Sequence, residues 1–266
     1  MVEESWFIDG AKIIDIGAIH NLKVGLVAGQ VDIVGHDEPG TRIEVHSVSG
    51  KALKVSVEGD TLEIDHLQLR WDNFIDVFRS FNGSARADVS IMVPRDVALK
   101  FGVVSATALI SGLAADASIS TVSGDVVVDG LQGDIRLNSV SGEISVRDHV
   151  GDISAHTVSG DIMATGRVRR LTIDGVSSEL FLDVSGAPDA IRVNTVSGNI
   201  TVRLAPEAAA QYKITTINGR LQLDDSEIAG VRGTHSGKYG ALDGAWLDFR
   251  ANTVSGDISV LHAVSA

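Results

Sequence analysis

A short phrase of the form Val-Ser-Gly-acid keeps returning along this chain, and its spacing leaves few folds open. Val122-Ser123-Gly124-Asp125, Val140-Ser141-Gly142-Glu143, Val158-Ser159-Gly160-Asp161 and Val176-Ser177-Ser178-Glu179 stand 18 residues apart, and Val104-Ser-Ala-Thr107 extends the series one step back. Val196-Ser197-Gly198-Asn199 and Ile217-Asn218-Gly219-Arg220 follow at steps of 20 and 21. Val254-Ser255-Gly256-Asp257 comes 37 residues later, with a worn copy, His235-Ser236-Gly237-Lys238, between. A fixed period near 20 residues means a solenoid, because each unit buries its apolar face only by stacking on its neighbours. The predicted fold is therefore all-β, a single-stranded parallel β-solenoid of about 18 residues per coil, with the right-handed winding expected of parallel crossovers.

Within one step the apolar residues are Val122, Val126, Val128, Leu131, Ile135 and Leu137, which divide the coil into two nearly equal halves. Each half reads as an apolar turn residue, a Gly-acid corner and a short strand with alternating inward side chains. Asp116, Asp134 and Asp152 mark the second corner at the same step. Coils about 4.8 Å apart would align these valines and isoleucines into internal columns along a stack roughly 38 Å long, leaving two long sheets or three short ones per coil open. Glycine in the phrase is expected to supply a positive-φ corner. Its serine, and the Thr or Ser just before it, are expected to form hydroxyl ladders that bond turn backbone groups.

Residues 1–95 lack the step and carry strand-like runs, which predicts antiparallel or irregular β structure capping one end of the regular coils of 96–266. Ser47-Val-Ser-Gly50 repeats the phrase in isolation, so an early coil is expected there. Trp71, Phe74, Phe78 and Phe81 fall at helical spacing within an amphipathic segment, 67–82, expected to cap the core or to meet a partner. The C-terminal Leu261-His-Ala-Val-Ser-Ala266 directly follows a good repeat and has no evident cap, so end-on self-association is expected to be open to it.

The chain has 22 basic and 35 acidic residues and a net charge of -13, which opposes phosphate backbones and anionic lipid. Nucleic acid is thus a poor partner, while a protein or a polysaccharide is a fitting one. Absence of cysteine excludes disulfides, thiolate metal sites and cysteine nucleophiles. No run approaches the length of a spanning helix, and the first residues do not read as an export signal, so cytoplasmic residence is the expectation, with surface association left open.

The Thr-Val-Ser-Gly-Asp repeats, preceded by a strand-rich section and by Val89-Ser-Ile-Met-Val-Pro94, resemble the bacterial β-strand-repeat family provisionally named as adhesins, a domain of unknown function. The likeness runs over roughly residues 10 to 262 and implies a parallel β-solenoid. A second, weaker likeness, carried by period and apolar columns alone, is to bactofilins, whose solenoid cores polymerise end to end.

Chemistry is thinly signalled. The acid column Asp125, Glu143, Asp161, Glu179, with Asn199 and Asp257 beyond, reads first as a solvated face. Stacked carboxylates are also a pattern for divalent cations or an acid-base pair. Calcium β-rolls need Gly-Gly-x-Gly-x-Asp, and these corners have one glycine each. Gly233-Thr-His-Ser-Gly-Lys238 is one residue short of a phosphate loop, and Tyr239 stands where Ser or Thr would hold magnesium. Arg167, Arg169 and Arg170 are expected to pair with carboxylates, and His149 and His156 to be surface or turn residues. The irregular segment 224–248 is the best place for a site, with His235, Lys238 and Tyr239 as partner-surface candidates. The expected function is a non-enzymatic scaffold or adhesin-like interaction protein that needs no cofactor. The alternatives are a polysaccharide-binding module and, behind it, a carbohydrate-active β-helix enzyme.

Overall fold

The computed structural model describes residues 3–66, 85–228 and 232–263. Every regular element among them is a strand, and they fall into two compact units, Met1–Gly133 and Asp134–Ala266. The aromatic segment holding Trp71, Phe74, Phe78 and Phe81 lies outside the described residues.

The first unit runs β1 (Glu3–Ile8), β2 (Lys12–Ile16), β3 (Asn21–Leu26), β4 (Ala28–His36), β5 (Thr41–Ser49), β6 (Leu53–Glu58), β7 (Thr61–Asp65), β8 (Arg86–Pro94), β9 (Ala98–Val103), β10 (Thr107–Ser111), β11 (Ala117–Thr121) and β12 (Val126–Asp129). Its last four strands pair in parallel at the 18-residue register, Leu99 beside Ala117 and Ala108 beside Val126. The antiparallel cap expected of the N-terminal section accounts for only part of it. β6 lies antiparallel on β7 and β1 on β6, while β5 lies antiparallel on β8 and β2 on β5. β3 and β4 instead thread into the parallel stack, β3 between β7 and β9, β4 between β8 and β10. Ser47–Ser49 opens no coil. It belongs to antiparallel β5 just past a register shift at Val45/Ser47.

The second unit runs β13 (Ile135–Ser139), β14 (Ile144–Thr157), β15 (Ile162–Gly175), β16 (Leu180–Val184), β17 (Ala190–Asn194), β18 (Ile200–Leu204), β19 (Ala210–Asn218), β20 (Leu221–Leu223), β21 (Ser226–Ile228), β22 (Gly233–Tyr239), β23 (Leu247–Ser255) and β24 (Ile258–His262). Ile144, Ile162, Leu180, Ile200, Ile258 and Leu221 stack in parallel register as one internal column. All six are at most 2% exposed. Burying each such side chain contributes about 1.5–3 kcal/mol, so the column is a main source of cohesion between coils.

Stack order departs from chain order. The last strands of the chain, β23 and β24, sit inside the stack: β23 between β17 and β19, β24 between β18 and β20. β19 is then covered by antiparallel β22 and β20 by antiparallel β21. The expectation of an uncapped C-terminal coil is thereby overturned. The final repeat is an inner layer, and a returning hairpin closes this end.

Candidate functional site

Three short-range devices recur at the repeat corners. The Thr or Ser before the phrase points inward. The Thr157 hydroxyl accepts the Gly160 N–H at 3.1 Å and donates to the Gly160 carbonyl at 3.0 Å, as Thr121 does with Gly124. The Ser159 N–H donates to the Val140 carbonyl of the coil beneath at 2.8 Å, and its hydroxyl to the same oxygen at 3.1 Å. The residue closing the phrase bonds the next coil in the stack through its side-chain oxygen: Asp161 accepts the Glu179 N–H at 2.9 Å, and Asn199 accepts that of Asp257 at 3.1 Å.

Two expectations about these corners need correction. Of the phrase glycines, Gly198 and Gly256 have positive φ, whereas Gly124, Gly142, Gly160 and Gly219 do not. Close approach is the shared reason for glycine where the corners are tightest. A Cβ on Gly160 would fall 2.1 Å from the Gly142 carbonyl oxygen, and one on Gly124 1.9 Å from that of Ala106. The first residue of the phrase is also not an internal column. Val140, Val158, Val176, Val196, Val254 and Ile217 are 38–59% exposed. Side chains alternate faces, and because the buried Thr or Ser stapling the corner takes the inside, its neighbour is sent outward. In stack order these six form one apolar ridge about 24 Å long on the second unit. Exposed Glu143, Asp161 and Glu179 run along one side of the ridge. On the other, Asn252 donates to Asn194 and Asn194 to Asp174, both at 2.8 Å.

Most of the remaining polar candidates resolve into ion pairs or burial, while Arg167 is exposed. Arg169 and Arg170 both clamp Asp152, at 3.0 and 2.7 Å, which occupies them without an external anion. His156 is exposed, 3.4 Å from Asp174. His149, expected to be a surface or turn residue, is fully buried, since the positive-φ Asp148 before it turns the strand and folds the imidazole inward. Among the described residues no three His, Asp or Glu side chains converge as metal ligands.

The segment singled out at 224–248 contributes to a cavity of about 410 Å³ at the hairpin end of the second unit, with Tyr212, Leu223, Asp224, His235, Lys238 and Tyr239 among its walls. Gly233–Tyr239 is strand β22, not a phosphate loop, and its register sets Tyr239 opposite Ala210, Gly237 opposite Tyr212 and His235 opposite Ile214. Directly opposed residues share a face, so His235 and Tyr239 lie on the side of Tyr212. Lys238 reaches the cavity from the rim.

Sequence reasoning did not single out the three residues at the heart of this site. Asp224 holds a left-handed backbone, φ 49°, and accepts from the His262 backbone N–H at 2.7 Å. The His262 ring lies with Nδ1 3.0 Å from Asp224 Oδ1 and Nε2 3.0 Å from the Ala208 carbonyl, and stacks on Tyr239 at 3.6 Å. Tyr212 meets Phe249 edge-on at 6.1 Å and is 3% exposed, and its hydroxyl has no partner among the described residues. Burial, then the charges of Asp224 and Tyr239, pushes that phenol well above its usual range. The available signal was Tyr212 itself, a ring with a polar hydroxyl at an inward position whose neighbours in register, Phe249 and Ile191, are wholly apolar.

Among the described residues there is no helix long and apolar enough to cross a membrane. No curated protein matches the chain. Among solved structures it is similar to a protein provisionally named for cell adhesion from Clostridium sporogenes ATCC 15579, at 14% identity and TM-score 0.31 over 95% of this chain and 100% of that one. It is similar to one provisionally named for lipid binding from Parabacteroides distasonis ATCC 8503, at 14% identity and TM-score 0.47 over 99% and 97%. It is also similar to one provisionally named an adhesin from Bacteroides fragilis NCTC 9343, at 12% identity and TM-score 0.46 over 94% and 97%. The repeats, the Thr-stapled corners and the parallel stacking agree with a match running over residues 19–261, and the chain belongs to the Toastrack DUF4097 family.

Proposed function

We propose that this protein is a non-enzymatic interaction scaffold, adhesin-like in that it presents an extended surface, and that the ridge Val140, Val158, Val176, Val196, Val254 and Ile217 is that surface. The carrying observation is the ridge's exposure: six branched apolar side chains in line, where a soluble protein ordinarily places polar ones. Corner carboxylates such as Asp161 serve the next coil's backbone, which supports a structural rather than a catalytic reading of the acid column. The 18-residue register of β13 on β14 and of β15 on β16 supports a single-stranded parallel solenoid with coils of that length, right-handed by the general rule for parallel crossovers.

The acids flanking the ridge favour a partner segment that is both apolar and basic. Selection of displayed peptides on the immobilised protein tests this. Enriched peptides should combine Lys or Arg with apolar residues and lose at least tenfold in affinity on a Val158→Asn/Val196→Asn variant. Enrichment of acidic peptides, or indifference to the ridge substitutions, would sink the reading.

A further inference from the structure

We infer that the cavity at the hairpin end of the second unit binds one neutral sugar unit, with the Tyr212 hydroxyl as its buried hydrogen-bond partner. This goes beyond the ridge and does not rest on it. A volume of about 410 Å³ lies in the range of small-molecule sites. Its chemistry narrows the occupant. Asp224 and Asp225 oppose an anion and Lys238 opposes a cation, so the walls present both signs of charge to an occupant. A polyol satisfies both signs at once, since each hydroxyl donates to a carboxylate and accepts from an ammonium group. Leu223, Ile228 and the Tyr239 ring supply the apolar surface that the C–H face of a pyranose needs.

Three features indicate a prepared site rather than a gap in packing. A buried phenol without a partner costs free energy unless something completes it, and Tyr212 is such a group among the described residues. Asp224 opens the two-residue turn between β20 and β21, which calls for its left-handed backbone. His262 holds the Asp224 carboxylate through two contacts and stacks its ring on Tyr239, which fixes two walls relative to each other. Gly237 keeps the interior open. A Cβ there would stand 3.4 Å from His235 Nε2 and 3.8 Å from Tyr212 Cδ2, so a first carbon fits and a branched side chain extends between the two rings.

The test is saturation-transfer NMR on the full chain with methyl glycosides of glucose, galactose, mannose and N-acetylglucosamine, each competed against inorganic phosphate as the charged probe, whose binding is read as loss of the glycoside signal. At least one glycoside should receive saturation. Gly237→Val should abolish the transfer while Gly237→Ala retains it, with melting transitions confirming that both variants fold. Tyr212→Phe should weaken binding roughly threefold to tenfold without loss of stability, because the hydroxyl it removes is unpartnered in the free protein. The Val158→Asn/Val196→Asn ridge variant should bind glycoside as the parent does, which separates failure of this site from failure of the ridge. No transfer from any glycoside, transfer unchanged in Gly237→Val, or phosphate bound in preference to sugar would each overturn the proposal.

Discussion

Asp257, in the last repeat of the chain, accepts the backbone N–H of Arg220 at 2.9 Å and binds its guanidinium at 2.8 Å, although Arg220 lies 37 residues earlier. On its other side the Asp257 N–H donates to Asn199 at 3.1 Å. One corner residue thus joins two coils that precede it in sequence, and it does so because the final coil is inserted between them. The Arg220 backbone N–H, and then its guanidinium, hold the Asp257 carboxyl below its usual range.

An inserted coil should behave energetically as core. Ile258→Ala, at 1% exposure between Ile200 and Leu221, is expected to cost about 2–5 kcal/mol, matching Ile200→Ala. Urea midpoints of the two variants check this. A cost for Ile258→Ala below about 1 kcal/mol would show a frayed terminal strand instead.

The corner staple should be worth more where its hydroxyl is engaged. Thr157→Val removes two hydrogen bonds and strands the Gly160 N–H, at a cost of about 1–3 kcal/mol. Thr216 is 1% exposed, and its hydroxyl has no partner among the described residues. Thr216→Val should therefore be neutral or slightly stabilising in the same denaturation experiment.

The fifth corner trades residues between two positions. Where Thr157 and Gly160 stand elsewhere, this corner has Gly175 and Ser178, and a Cβ on Gly175 would lie 2.8 Å from Ser178 Oγ. Gly175→Thr alone should destabilise, and adding Ser178→Gly should recover at least the parent's melting temperature. The double-mutant cycle should show coupling of at least about 0.5 kcal/mol, and strict additivity would refute the exchange.

His66 should make the fold acid-sensitive. Burial, reinforced by the charge of Lys51, lowers its imidazole from 6.5 to about 4, and neither ring nitrogen has a partner among the described residues. The unfolded chain then binds the proton more readily, so stability is full above pH 6.5 and falls as pH drops toward 4, by roughly 3 kcal/mol at most. Stability curves of the parent and of His66→Leu across that window should differ in slope, with the variant flatter.

Much of the local design was legible because it is periodic. The step of 18 residues predicts the observed register of Ile144 on Ile162 and of Ala108 on Val126. The ridge was misread for a local reason. Hydrophobicity argues for Val158 inside and Thr157 outside, but the turn backbone at Gly160 needs a hydroxyl, and satisfying it reverses the two. The end cavity was only half visible: the segment carrying Asp224, His235, Lys238 and Tyr239 stood out as irregular, whereas Tyr212, opposite Gly237, and His262, on the Asp224 carboxylate, join it across 25 and 38 residues.

The sequence by itself determined that the chain forms stacked parallel strands, the length of their repeat, and which residues turn each corner, since these follow from short-range sterics and from hydrophobic periodicity. Only the tertiary structure decided the order of the coils. Every coil offers its neighbours the same backbone ladder and nearly the same Val, Ile and Leu column, so adjacency in the chain gives no exclusive claim to adjacency in the stack. Closing a longer loop costs little more than closing a short one. The choice therefore falls to specific contacts between coils, Asp257 with Arg220 and Asn199, and Tyr212 with Phe249, which place the end of the chain inside and leave the hairpin to close the end of the second unit.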